Sequence, residues 1–285
     1  MKSIYKTPGG EQVVRSEYRR LLERWPVPAE QSTIPTAQGD TFVLSCGPAD
    51  APPLVLLHGT GTNTVMWAGN ITTWAKHFRV HAIDVIGEPG LSAQSRPPLD
   101  SDAHAAWLDE VFDGLGLARP AVVGTSLGGW LALDYAIRRP GHVTRLALMA
   151  PSGVGRQKWG VLITAILLLP LGRRGQAMTL RRALGVRASS AATDLGTMTL
   201  LIHQHFRPRF DRLPQFSVEA LSTIDAPVLA VVGGRDAMLD SHQTKQKLEE
   251  AGKEVHLLPD AGHLLPDQTE SILDFLRGQA VGSSA

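Results

Sequence analysis

The sequence predicts an α/β fold: a mostly parallel central sheet with helices on both faces and one helical insertion. Three observations lead there. Short continuous apolar runs, such as Pro53-Leu54-Val55-Leu56-Leu57 and Val228-Leu229-Ala230-Val231-Val232, alternate with segments of helical pattern. Strands that are apolar on both faces belong to a parallel sheet covered on both sides. Turn residues follow the ends of these runs, as in His58-Gly59-Thr60-Gly61 and Gly233-Gly234-Arg235-Asp236. The alternation then breaks between Gly153 and about Ser217, where Leu, Ile and Ala runs of helical character replace strands.

Taken in order, residues 17–24 read as a leading helix ended by Trp25-Pro26-Val27-Pro28. Residues 32–36 and 41–46 flank Gln38-Gly39-Asp40, a hairpin turn signal. A strand at Leu54, a helix over 66–77, a strand over 80–83 and a helix over 103–115 follow. Ala121-Val122-Val123 then leads into a helix that Pro140 ends. A strand at 146–149 precedes the insertion. After Pro227 the order is strand, helix (242–251), strand (255–258), helix (269–276). The expected organisation is a core of residues 1–152 and 217–285, with a helical cap over 153–216.

Gly124-Thr125-Ser126-Leu127-Gly128 is a G-x-S-x-G segment between an apolar strand and a helix. A serine on so sharp a turn takes a strained backbone conformation that projects its hydroxyl, and the flanking glycines avoid collisions across the turn. A serine nucleophile needs a base, and the base an orienting group. Asp236 lies on the loop after one strand, and His263, in Pro259-Asp260-Ala261-Gly262-His263, on the loop after the next. All three fall at carboxyl ends of strands, the edge where open α/β sheets bind ligands. The glycine-bearing turn after Leu57 can aim a backbone N–H inward. Thr60 is the chosen donor, paired with the amide of Leu127.

On these residues the chain resembles the α/β-hydrolases of the serine-esterase type. The likeness rests on His58-Gly59, on Asp84-Val85-Ile86-Gly87-Glu88-Pro89-Gly90-Leu91-Ser92, on the elbow, and on the loops carrying Asp236 and His263. It spans about residues 33–276. The order Ser126, Asp236, His263 is that of the family. The segment beginning at Asp84 departs from the family's Asp-x-x-Gly-x-Gly-x-Ser turn, because Glu88 and Pro89 both stand between the glycines; this reads as a loop variation. The resemblance implies an α/β-hydrolase fold and cleavage of small to medium apolar carboxylic esters through an acyl-enzyme, with no metal or organic cofactor. The same residues are compatible with C–C bond, thioester or lactone hydrolysis, with peracid formation, or, in another class, with a ligand-binding receptor on a hydrolase scaffold.

Composition sets bounds. The chain has 285 residues, 43% hydrophobic, with a net charge of +1. No basic tract points to nucleic acid. The one cysteine, Cys46, excludes an internal disulfide and reads as a small buried hydrophobe. No Cys/His spacing suggests zinc. The first ten residues lack the apolar core of a secretory signal, so a cytoplasmic location is expected. The apolar stretch 159–169 stops at Pro170 and is too short to span a bilayer. Nothing in the sequence specifies an oligomeric state.

The front of the insertion is cationic: Arg156, Lys158, Arg173, Arg174, Arg181, Arg182 and Arg187 precede its first acid, Asp194. A solvated cap face is the expectation, with weak contact to an anionic membrane surface as the alternative. Leu162, Ile166 and Phe206 are expected to wall the substrate pocket together with Met66 and Trp67. The remaining polar residues receive structural readings. His58 holds the turn after Leu57, Asp84 shapes its own turn, Asp260 caps a loop, Glu88 is solvated, and His203 and His205 lack a third metal ligand.

Overall fold

The computed structural model describes residues 3–158, 160, 194–209 and 211–279. Eight strands form one sheet in the order β1-β2-β4-β3-β5-β6-β7-β8. Strands β1 (Ala29–Ile34) and β2 (Thr41–Cys46) make an antiparallel hairpin at one edge. Strand β2 also pairs antiparallel with β4 (Arg79–Ile83). The rest is parallel: β3 (Pro53–Leu57) lies between β4 and β5 (Ala121–Thr125), followed by β6 (Leu146–Met149), β7 (Val228–Gly233) and β8 (Glu254–Leu258).

The continuous apolar runs divide by side-chain alternation between the two faces. Val55, Leu57, Ile83 and Val122 join one core with helices α3 (Ala103–Leu115) and α4 (Leu127–Arg138). Leu54, Leu56, Val80, Ala82 and Val123 join the opposite core with α2 (Ala68–Trp74) and a C-terminal helix, Thr269–Leu276. One buried indole on each side finds an acceptor: Trp74 Nε1 donates to the Thr269 carbonyl at 3.0 Å, and Trp107 Nε1 to Thr41 Oγ1 at 2.8 Å. Each such ring contributes large apolar area without leaving a polar atom stranded.

A third cluster lies under α1 (Pro8–Glu23), around Tyr18, Phe42, Val65, Met198 and Phe206. Here the structure corrects an expectation. The leading helix starts at Pro8, not near Glu17, because Thr7 caps it by accepting the Gly10 N–H at 3.0 Å and Pro8 stands in its first turn. The predicted helix over 66–77 is also reshaped. Asn63 caps a single 3₁₀ turn, Thr64–Trp67, and α2 follows it.

Between β6 and β7 the described elements are α5 (Asp194–His205) and α6 (Val218–Ser222). The N-terminal segment holds α5: Arg20 and Arg24 pair with Asp194, Lys6 Nζ donates to the carbonyls of His203 and Gln204, and Tyr5 bridges Phe206. Most of the expected cap, including Leu162 and Ile166, lies outside the described residues. Helices α7 (Ser241–Glu250) and α8 (Thr269–Leu276) complete the described fold. Among the described residues no helix is long and apolar enough to cross a membrane.

Candidate active site

The chain turns from β5 into α4 at Ser126, whose φ of 50° and ψ of −110° are strained for a non-glycine residue. The turn is tight on both sides. A Cβ on Gly124 would stand 2.4 Å from the Gly128 carbonyl oxygen, and one on Gly128 would stand 2.0 Å from that of Leu57. Gly128→Ala is therefore expected to lower the unfolding free energy by roughly 3 kcal/mol, since the obstacle is backbone and cannot swing aside. A denaturant midpoint equal to wild type would contradict this steric account.

Three loops converge on the elbow. His263 Nε2 lies 3.2 Å from Ser126 Oγ, and His263 Nδ1 lies 2.7 Å from Asp236 Oδ2. Asp236 Oδ1 accepts the amides of Met238 (2.7 Å) and Leu239 (3.0 Å). Burial pushes the Asp236 carboxyl up, but His263 and the two amides outweigh it, so its pKa is lowered. An ionised carboxylate can only accept. The imidazole proton therefore sits on Nδ1, leaving Nε2 as the acceptor that faces Ser126 Oγ. The loops bearing Asp236 and His263 are packed together: Arg235 N donates to the Ala261 carbonyl at 2.9 Å, and Gly234 N to that of Leu258 at 2.8 Å. Lys158, counted above with the basic insertion, donates through Nζ to the Asp236 carbonyl at 2.9 Å.

The turn after β3 lies against the elbow, where a Cβ on Gly59 would stand 3.3 Å from that of Ser126. His58 is fully buried and fixes this turn. Its Nε2 accepts the Val85 N–H at 2.9 Å, so Nδ1 carries the proton and donates to the Gly59 carbonyl at 2.9 Å. Burial lowers its pKa against the pull of Asp84, which keeps the ring neutral. Asp84 accepts from Tyr18 Oη, Thr64 N and Leu91 N, and so shapes its own turn. The amides of Thr60 and Leu127 have no hydrogen-bond partner among the described residues. Leu127 opens helix α4, whose dipole places partial positive charge at this end.

Other expected positions separate. Met66 borders a recess with Gly61, Thr62, Asn63, Val65, Leu195, Met198, Thr199 and Ile202. Trp67 does not join it; it is 1% exposed and packs at 5.9 Å from the Trp74 ring in the sheet core. Phe206 is likewise core, clustered with Tyr5 and Ile202 beneath the Arg96 guanidinium. Asp260 pairs with exposed Arg235 instead of capping its loop. Cys46 is buried in β2, and burial raises its thiol pKa. Among the described residues no group of three or more His, Cys, Asp or Glu side chains could hold a metal.

Two neighbours of the site were not anticipated. Ser152 Oγ lies 3.4 Å from Ser126 Oγ, brought there by Ala150 at φ 44° and by the Ser152 amide, which donates to the Ser126 carbonyl at 3.1 Å. Nothing local in the sequence marks that strain. The second is Glu88, expected in solvent but only 2% exposed, with Oε2 accepting the Gly61 N–H at 2.6 Å. Burial, opposed by that hydrogen bond and by Arg96 and Arg209, raises its pKa from 4.5 to about 7. A carboxyl whose folded pKa is raised adds stability below about 4.5, and that contribution is lost as pH rises through about 7. Unfolding free energy measured from pH 5 to pH 8 should therefore fall more in wild type than in Glu88→Gln. Parallel curves would contradict the raised pKa.

The fold and the matched sequence together define the class. A model of the alpha/beta hydrolase family matches residues 54–274, and the chain belongs to that family. Carboxylesterase YbfK of Bacillus subtilis is 28% identical over 280 residues, covering 92% of each chain. The crystal structure of carboxylesterase CesB (YbfK) from Bacillus subtilis superposes with a TM-score of 0.83 at 26% identity, covering 95% of this chain and 100% of that one. That of naproxen esterase from the same organism gives 0.79 at 26% identity, covering 92% and 94%.

Proposed function

We propose that the chain hydrolyses carboxylic esters, with Ser126 as nucleophile, His263 as general base and acid, and Asp236 as the group that orients and charges the imidazole. The observation that carries this reading is the unbroken hydrogen-bonded series from Ser126 Oγ through His263 to a buried, amide-bound Asp236. The similarity to carboxylesterases supports the choice of ester.

The steps follow from that geometry. His263 Nε2 takes the serine proton as Oγ attacks the ester carbonyl. The amides of Leu127 and Thr60 donate to the oxyanion, and each such donor typically lowers the barrier by about 3–4 kcal/mol. His263 then protonates the departing alcohol. Water, deprotonated by the same imidazole, hydrolyses the acyl-enzyme. No step calls for a metal or organic cofactor.

Residues 153–216 act as a cap in this reading. Leu195, Met198, Thr199 and Ile202 of α5 face Thr62, Val65 and Met66 across the recess beside the Thr60 turn. Its wall is largely apolar, and the preference for small to medium uncharged esters rests on the likeness to carboxylesterases. The test is a series of p-nitrophenyl esters from acetate to decanoate. Turnover well beyond one equivalent per chain, favouring short to medium acyl groups, is expected. Failure to turn over any member would overturn the reading.

A further inference from the structure

Glu88 occupies the place where this chain departs from the family's turn, with two residues between Gly87 and Gly90. That turn is rigid. Glu88 N donates to the Val85 carbonyl at 3.2 Å, Gly90 N to that of Glu88 at 2.8 Å, and Asn63 Nδ2 to that of Pro89 at 3.0 Å. From it the buried Glu88 carboxylate reaches the Gly61 N–H. Gly61 has φ of 67°, so this peptide sits in a conformation that other residues adopt at a cost.

The N–H of Gly61 belongs to the planar peptide that also carries the Thr60 carbonyl. Holding that N–H restrains ψ of Thr60, the torsion on the downstream side of the residue whose amide is the donor, and so limits how far the turn around Thr60 can move. His58 and Thr62 hold the Gly59 carbonyl, which shares a peptide plane with the Thr60 N–H, so the Glu88 contact completes the restraint on the downstream side of Thr60. Without the carboxylate, the flexible Thr60-Gly61 peptide is free to rotate.

We infer that Glu88 is a positioning residue for the oxyanion hole, anchoring the Thr60-Gly61 peptide so that the Thr60 N–H points at the reacting carbonyl; this rests on Thr60 as a donor in the ester-hydrolase reading. Charged groups surround the anchor from each packed segment. Arg96 donates to the carbonyls of Gly87 and Arg207, and Arg209 donates to that of Pro97 and pairs with Asp211. His58 is neutral, and Asp84 is committed to Tyr18, Thr64 and Leu91. Arg96 and Arg209 favour the ionised carboxyl that burial disfavours. Protonated or ionised, the carboxyl keeps an oxygen that accepts the Gly61 N–H, and the ionised form, favoured above about pH 7, holds it more strongly.

The test compares wild type, Glu88→Gln and Glu88→Met with p-nitrophenyl butyrate as substrate and an aryl trifluoromethyl ketone as a mimic of the tetrahedral oxyanion. Methionine keeps the length and apolar bulk but cannot accept the Gly61 N–H, whereas glutamine offers a carbonyl oxygen at the same reach. A misaimed donor should cost less than a deleted one, so Glu88→Met is expected to lower kcat about 10- to 100-fold. KM should stay within about twofold, and ketone affinity should fall by the same factor as kcat. Glu88→Gln is expected to retain kcat within about threefold. If Glu88→Met is not recovered folded, Glu88→Leu serves the same comparison. A non-accepting variant with wild-type kcat and ketone affinity, a loss confined to KM, or a glutamine variant as impaired as methionine each overturns the anchor. Wild-type protein that turns over no ester, or turnover that survives Ser126→Ala, overturns the ester-hydrolase reading and the anchor with it. Turnover that depends on Ser126 but is indifferent to Glu88→Met overturns the anchor alone.

Discussion

Ser126→Ala is expected to lower kcat for a p-nitrophenyl ester about a millionfold, leaving only what substrate binding and the backbone amides supply. The size of the effect follows from how the residues act as a unit. His263 lies 3.2 Å from the serine oxygen, so removing that oxygen also deprives the imidazole and Asp236 of anything to activate. The substitution should leave the fold intact, because Ser126 anchors the elbow through its backbone: its N–H donates to the Met149 carbonyl at 2.9 Å, and its carbonyl accepts from Trp130 and Ser152. Stopped-flow and steady-state rates, read beside the thermal midpoint, check both halves. A variant retaining more than about a hundredth of wild-type kcat would contradict the role of Ser126.

Asp236→Asn should be the second-largest loss, about ten-thousandfold in kcat. The reason is tautomeric. Asp236 Oδ1 is held by the amides of Met238 and Leu239, so an asparagine keeps its carbonyl oxygen there and turns its NH₂ toward His263 Nδ1. A donor facing Nδ1 drives the imidazole proton to Nε2. That nitrogen then cannot take the Ser126 proton. The side chain is nearly isosteric, so the midpoint of unfolding should move little while activity falls. A decrease of tenfold or less would argue that Asp236 only packs the loop, and that another carboxylate at a strand's carboxyl end, such as Asp84, orients the imidazole. Asp84 is an unpromising substitute, because its oxygens are already taken by Tyr18, Thr64 and Leu91.

Much of this was legible from residue order. Continuous apolar runs such as Val228–Gly233 are buried on both faces, so the hydrophobic pattern and the tertiary environment agree. Helix α3 was readable over its whole length because Gly116 ends it in a left-handed conformation. Ser126, Asp236 and His263 could be nominated because each follows a strand whose carboxyl end opens on the same edge.

What escaped was set by contacts distant in sequence. The leading helix reads from residue 17 in the sequence, yet α1 already includes Gly10, where the absence of a side chain lets His205 of α5 pack, 2.7 Å from a hypothetical Cβ. Trp67 and Phe206 look like pocket residues on hydrophobicity alone. Only the packing of α2 on α8 and of α5 on α1 assigns them to the core. Glu88 was placed in solvent because carboxylates rarely bury unpaired. Its burial becomes intelligible once Gly61, Arg96 and Arg209 are seen around it.

The claim on which the account stands is that one hydroxyl among the chain's serines is activated by His263. Treating the protein with a fluorophosphonate and mapping the modified peptide tests it most directly. A single adduct on Ser126, formed in step with loss of ester turnover and absent in His263→Ala, is the predicted result. An adduct on any other residue, or undiminished labelling of Ser126 in His263→Ala, would contradict it.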